Sequence, residues 1–162
     1  MNYIPDILLT EALTPATRFT LSYLLEMHRL ALGQLYVFAG RYREVNISTG
    51  GFAFPAARFL PASMQQFGRD WLHQALPADP HALLDRMGAV HGVLLFIHPF
   101  REGNGRTARL LANLMLEQQG RERLRWELVD QAAFPRYVAA VQQSGLGNYA
   151  PMQALMRTLS PG

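Results

Sequence analysis

The stretch Leu94-Leu95-Phe96-Ile97-His98-Pro99-Phe100-Arg101-Glu102-Gly103-Asn104-Gly105-Arg106-Thr107-Ala108-Arg109-Leu110-Leu111 runs from one apolar segment into another through a glycine-rich, cationic turn. Pro99 ends the first segment as a helix, because the residue before a proline disfavours the α region. His98 is thereby held at a helix C-terminus. Gly103 and Gly105 free the backbone for positive φ angles, so the amides of Gly103, Asn104 and Gly105 can converge on the N-terminus of the next helix. Orphan amides and the helix dipole make such a place an anion site. Arg106 and Arg109, three residues apart, lie on one side of that helix and suit bidentate contact with phosphates. Glu102 is the one acid in this cationic loop, and a lone carboxylate beside phosphates suits a magnesium ion completed by phosphate oxygens and water. His98 supplies a base with an ordinary pKa near 6.5 for an attacking hydroxyl. Phe100 is expected to face inward and pin the loop to the core.

Outward from this stretch, most of the chain has helical periodicity. Asp79-Pro80 is a cap followed by a first-turn proline, which predicts a helix from there through Ile97. The next helix is expected over about 105–119, closing at Gly120. Thr14-Pro15 predicts another helix start, and Phe19, Leu24, Met27, Leu30, Leu35 and Phe38 carry an apolar spacing on to Gly40, with an interruption at Gly33. Further helices are expected over about 61–75, 131–143 and 149–159. The pattern changes over 41–57, where within 45–55 two short alternating segments flank Gly50-Gly51, a hairpin signal. Alone such a hairpin is marginal in water, so it reads as a flap lying on helices. With no internal repeat or linker, residues 1–162 read as one domain, a compact and mainly α bundle with one small β-hairpin.

The chain has 162 residues, half of them apolar and 17% charged, which fits one folded domain. It has no cysteine, which excludes disulfides, thiolate catalysis and cysteine-ligated zinc. No apolar run approaches the roughly 20 residues of a membrane span. The sequence start lacks the pattern of a secretory signal, so the expectation is a cytoplasmic protein with no membrane partner. All fifteen basic residues are arginines, and the sequence pI is about 9.7. The stretch holding Arg101, Arg106, Arg109, Arg121, Arg123 and Arg125 lacks the aromatic interleaving of a single-strand platform, so a local anion site fits better than specific nucleic-acid binding. Arg121, Arg123 and Arg125 read as a solvent face with Glu122 and Glu127. His91 reads as a packed core histidine, and His28, His73 and His81 as structural or solvated, without metal-ligand spacing. Phe52 and Phe54, if exposed on the hairpin, would mark a docking surface.

His98-x-Phe100-x-Glu102-Gly103-Asn104-Gly105-Arg106-x-x-Arg109 resembles the active-site motif of the Fic (Fic/Doc) family, HxFx(D/E)GNGRxxR, at every specified position. Leu35 to Arg43 resembles the family's "WAGxxR" segment with Phe38 in place of tryptophan, and the hairpin resembles its target-docking flap, so the likeness covers about 26–159. The resemblance implies a protein adenylyltransferase that moves AMP from ATP to a Ser, Thr or Tyr hydroxyl of a target protein and releases pyrophosphate. On that analogy His98 is the base and Glu102 holds Mg²⁺. Gly103, Asn104 and Gly105 seat the phosphates, with Asn104 near the α-phosphate. Arg106 clamps the outer phosphates with support from Arg109, and the flap around Gly50, Gly51, Phe52 and Phe54 docks the target. Doc-like relatives carry lysine at the position of Gly105, so glycine there favours AMP over phosphate transfer; UMP or phosphocholine transfer stays open. Many relatives inhibit themselves through (S/T)xxxE(G/N). Here only Ser22 and Glu26 have the spacing, followed by Met27, inside an expected core helix. The resemblance therefore points to a toxin-like enzyme inhibited in trans by a small antitoxin whose glutamate meets Arg109. Two other readings compete, a nucleotide- or partner-binding module without catalysis and a nucleic-acid-binding protein. A homo-oligomer is left open.

Overall fold

Helix α4 (Pro80–Ile97) is the axis of the fold, and its two ends explain its length. Asp79 accepts a hydrogen bond from the Ala82 amide at 2.9 Å, Pro80 takes the first helical position, and the helix stops at Ile97, two residues before Pro99. The computed structural model describes residues 4–162. Those residues form seven α-helices and one two-stranded hairpin: α1 (Ile4–Ala12), α2 (Leu21–Leu32), α3 (Leu60–Phe67), α4, α5 (Asn104–Gln118), α6 (Phe134–Gly145) and α7 (Ala150–Leu159). β1 (Ser48–Thr49) and β2 (Phe52–Ala53) pair antiparallel, with Ser48 opposite Ala53 and Thr49 opposite Phe52. Gly50 and Gly51 both take positive φ, as a tight hairpin turn requires.

α4 is buried along most of its length because α3, α5, α6 and α7 pack around it. Its residues Leu83, Met87, Val90 and Leu94 join Leu111, Leu114 and Met115 of α5 and Met152 and Met156 of α7 in one core. At Gly88 and Gly92 there is no room for a side chain: a Cβ would strike the Gln153 backbone of α7 and Ser144 of α6. Those two helices therefore approach α4 at backbone distance. His91, between the two glycines, is 2% exposed, and its Nε2 lies 2.5 Å from the Tyr137 hydroxyl on α6.

The expected helix from Thr14-Pro15 to Gly40 is shorter at both ends. Thr14 spends its hydroxyl on the Ala16 amide in a local turn, whereas Thr20 accepts from the Tyr23 amide at 3.1 Å and is the real cap. At the far end the Leu32 carbonyl accepts from the Leu35 and Tyr36 amides. The chain then runs through turns to the hairpin. α1 is an addition that the sequence pattern did not indicate; it rests on α2 and α5, and Thr10 donates to Glu117 of α5 at 3.2 Å. α3 is shorter than the expected helix over 61–75 and passes into a single π turn at Gly68–Leu72. The supposed solvent face of arginines is also engaged. Arg123 pairs with Glu117, and the Arg125 guanidinium donates to the Thr158 and Ser160 carbonyls. No described helix is long and apolar enough to cross a membrane.

Two buried histidines make the fold sensitive to acid. Burial holds His28 below its ordinary value and pushes His91 down to about 3, so both are neutral in the folded chain. Unfolded, each takes up a proton near pH 6.5, so the stabilisation is complete above that value and is lost as pH falls toward the folded values. Between pH 6.5 and 5, where ordinary carboxylates stay ionised, His91 alone is expected to remove roughly 2 kcal/mol. Urea midpoints measured across that window should fall; a flat profile contradicts the assignment.

Candidate functional site

The site grows from the end of α4. His98 is the C-cap, with φ 54° and ψ 61°, the sole non-glycine residue with positive φ among the described residues. A side chain in this left-handed region costs on the order of 1 kcal/mol or more and persists only where the surroundings impose it. Here the imposing group is Arg43. Its Nε donates to the His98 carbonyl at 2.7 Å, Nη1 to Val45 at 2.9 Å, and Nη2 to Pro55 at 2.6 Å and Ile97 at 3.3 Å. The Arg43 amide adds a bond to the Pro99 carbonyl at 2.8 Å. One buried side chain thus ties both flanks of the hairpin to the last two carbonyls of the α4 end.

The His98 ring is oriented from two sides. Its Nδ1 lies 3.1 Å from the Leu95 carbonyl, which can only accept, so Nδ1 carries the proton and Nε2 keeps its lone pair. Phe54 stacks on the ring at 3.8 Å between centroids and 8° between planes. Burial holds the imidazole below its ordinary value; the Leu95 carbonyl opposes this and the nearby Arg43 charge reinforces it. Among the described residues no hydrogen bond occupies Nε2. Phe52 turns toward Phe96, with centroids 6.1 Å apart. Both hairpin rings are therefore half-buried against the C-terminal end of α4, so the condition under which they would mark an exposed docking surface is not met.

The loop that follows is closed by its own side chains. Phe100 is 1% exposed, as expected of an anchor, and stacks on the His28 ring at 3.8 Å. Asn104 is buried: its Oδ1 accepts from the Phe100 amide at 2.9 Å and its Nδ2 donates to the Phe100 carbonyl at 2.7 Å. The Asn104 side chain is thus a brace across the loop. His28, read as structural or solvated, proves fully buried and specific. Its Nδ1 accepts from the Gly40 amide at 2.8 Å, which leaves the proton on Nε2 to be donated to the Glu102 carbonyl at 2.8 Å. The Glu102 side chain is exposed.

The two glycines differ. Gly103 has φ +82°, and a Cβ there would collide with Leu32 of α2. Gly105 is helical, against the expectation of positive φ, and a Cβ there would meet nothing within 4 Å. Its absent side chain therefore leaves open space at the N-terminus of α5, where free amides and the dipole favour an anion. Arg106 is exposed at this end. Arg109, one turn on, is half-buried, its guanidinium 5.8 Å from the Trp126 ring centre and 6.0 Å from that of Tyr137. A cavity of about 600 Å³ opens elsewhere, between residues 15–20 and 71–76, away from this helix end. Arg43 and His28 were missed as site residues. Arg43 was visible only as the last position of the AGxxR pattern, and His28 had no signal.

The arrangement, a helix-end imidazole followed by a glycine turn and two arginines on a mainly α bundle, is of a kind suited to holding an anion. The Fic/DOC family model matches residues 18–116, and the chain belongs to that family. It is 39% identical over 104 residues to the protein adenylyltransferase Fic of Nematostella vectensis, an alignment covering 62% of this chain and 23% of that one. With the protein adenylyltransferase fic-1 of Caenorhabditis elegans it shares 34% over 131 residues, covering 79% of this chain and 24% of that one. The chain thus spans about a quarter of these relatives. Among solved structures, the N-terminal FIC domain of Bep8 from Bartonella sp. 1-1C superposes with a TM-score of 0.76 at 18% identity, covering 96% of this chain and 79% of that one. BepC from Bartonella tribocorum, solved with bound AMPPNP, superposes with a TM-score of 0.72 at 17% identity, covering 96% and 80%. At these identities the likeness speaks to the fold.

The glycine pair gives a direct test. Gly103→Ala should destabilise by about 1–3 kcal/mol or more, from the positive φ and the collision with Leu32. Gly105→Ala should fold with equal or slightly greater stability, since alanine favours a helix by roughly 0.5–1 kcal/mol over glycine. Thermal unfolding of the two variants checks this; equal losses contradict the division.

Proposed function

We propose that the chain is the catalytic domain of a protein adenylyltransferase, transferring AMP from ATP to a hydroxyl side chain of another protein. The observation that carries this reading is the His98 ring, with Nδ1 committed to Leu95 and a neutral Nε2 left free beside an open helix N-terminus. The triphosphate lies over the amides of Gly103, Asn104 and Gly105, where the missing Gly105 side chain leaves room. Arg106 holds the outer phosphates and Arg109 supports it, each as a planar donor fork. Asn104, braced on Phe100, contributes its main-chain amide and the rigidity of the loop near the α-phosphorus.

The target hydroxyl loses its proton to His98 Nε2 as its oxygen attacks the α-phosphorus. The bond from that phosphorus to the β-bridging oxygen breaks, and pyrophosphate leaves with the electron pair. Positioning and charge stabilisation dominate such a transfer. The residues fit a Mg²⁺ ion in one mode only. No group of three His, Asp or Glu collects among the described residues, so Glu102, exposed and alone in the loop, would hold it together with phosphate oxygens and water. The ion would neutralise phosphate charge. The target's extended segment pairs with an edge of the hairpin by strand addition. The same reading includes a separate small inhibitor whose acidic residue meets Arg109. Glu26 is spent on Arg29 within α2, so this carboxylate is engaged locally.

Incubation with Mg²⁺, a cell lysate and ATP labelled at the α or the γ position tests the reading. Label should transfer to protein from the α position only, and His98→Ala should slow transfer by about 10²- to 10⁴-fold. Transfer from γ would make the enzyme a kinase, and no transfer would make it a binding module.

The pH profile follows from the lowered His98 value. The neutral ring is the active form, so the rate should hold as pH drops through 6.5, the ordinary imidazole value, and fall only at more acidic pH. Initial rates under chemistry-limited conditions check this; a limb above 6.5 contradicts it.

A further inference from the structure

The Arg109 guanidinium sits in an environment that core packing does not require. Its Nε is buried without a hydrogen-bond partner, and the group rests between the faces of Trp126, before α6, and Tyr137, on α6. Each wall of this cradle is itself fixed. Trp126 Nε1 donates to Asn113 Oδ1 of α5 at 3.1 Å. The Trp126 ring also stacks on His91 at 4.9 Å between centroids. Tyr137 OH lies 2.5 Å from His91 Nε2.

Proton ownership in this network is determined. Burial pushes His91 down to about 3, so its Nε2 keeps a lone pair. Burial pushes Tyr137 up to about 12 against the opposing Arg109 charge, so the phenol keeps its proton and donates it to His91. The Arg109 guanidinium lies 6.0 Å from the centre of this ring, and its charge favours the phenolate without overcoming burial. His91 Nδ1 turns toward the Ala108 carbonyl without an ordinary hydrogen bond, on the same turn of α5 that carries Arg109. A buried chain therefore runs from α4 through His91 and Tyr137 to the guanidinium.

We propose that Tyr137, oriented by His91 and faced by Trp126, is a positioning residue that presents Arg109 to the outer phosphates of a bound nucleoside triphosphate. The inference rests on the nucleotide reading above. A guanidinium between aromatic faces gains cation–π attraction and has lost its rotamer freedom before the ligand arrives. Binding then orders less of the side chain, and the gain falls on ligands with phosphates beyond the α position.

The test is a double-mutant cycle read by calorimetric binding of ATP and of AMP in Mg²⁺, with thermal midpoints as the control for folding. Tyr137→Phe keeps the ring and removes the hydroxyl; Trp126→Leu enters the same cycle if the first variant does not fold. Tyr137→Phe should weaken ATP binding by roughly five- to tenfold, the scale of one lost hydrogen bond, and leave AMP binding within about twofold of the parent. In an Arg109→Ala background the same change should cost ATP binding nothing further. Equal losses for ATP and AMP, or an undiminished loss without Arg109, overturn the positioning role. Failure of the unmodified protein to bind ATP at all overturns the nucleotide reading instead.

Discussion

The site depends on one buried cation that no carboxylate pairs among the described residues. Arg43 is 4% exposed, its ordinary basicity is reduced by burial, and its guanidinium is satisfied by main-chain carbonyls. Two of these, Ile97 and His98, are among the unpaired carbonyls at the C-terminus of α4, where the helix dipole favours positive charge. The others, Val45 and Pro55, are the two flanks of the hairpin. A carboxylate partner could have paired the charge, but it could not have gathered four separate carbonyls. Planarity and five fixed donors explain why arginine holds this place. The left-handed His98, the stacking of Phe54 and the position of the flap follow from that gathering.

A second division of labour runs through the loop. Groups that look like ligands in the sequence are partly spent on architecture: the Asn104 side chain closes on Phe100, and the Glu102 carbonyl accepts from His28. On the nucleotide reading, an anion would meet main-chain amides, the open space at Gly105 and the guanidinium groups of Arg106 and Arg109. Rigid placement of a few donors by partners that never touch the ligand is what electrostatic stabilisation requires, because donors already in place do not reorganise as charge develops. Gly103 makes the arrangement possible by allowing Leu32 of α2 to reach the turn.

α4, α5 and the turn between them were legible in the sequence because local signals agreed there. Asp79-Pro80 opens a helix, Pro99 closes it, and the glycines and arginines between the two apolar runs have few alternative uses. The hairpin was legible for the same reason, through Gly50-Gly51. The course of residues 13–47 was not: its apolar spacing suits a long helix, and only the competition between Thr14 and Thr20 for cap and the turn at Leu32 decide otherwise. The direction of Phe52 and Phe54 was illegible because it depends on α4, far along the chain. Arg43 and His28 were illegible as site residues because their partners are carbonyls and amides, all but Val45 lying 12 to 74 positions away, and main-chain groups leave no trace in residue identity.

On the adenylyltransferase reading, the choice of one base among the histidines follows from counting ring nitrogens. Three histidines lie around the α4–α5 junction, and burial depresses all three, so proximity and basicity do not distinguish them. Hydrogen bonding does. His28 spends Nδ1 on Gly40 and Nε2 on Glu102, with its ring covered by Phe100. His91 spends Nε2 on Tyr137, and its Nδ1 is buried beneath α5, out of reach of any incoming hydroxyl. His98 alone has a committed Nδ1 and an uncommitted Nε2. A ring in that state accepts a proton without first breaking a bond, and its lowered basicity keeps it ready at neutral pH while making it a weaker acceptor. That compromise suits a step in which proton removal need only keep pace with attack on an already activated phosphorus.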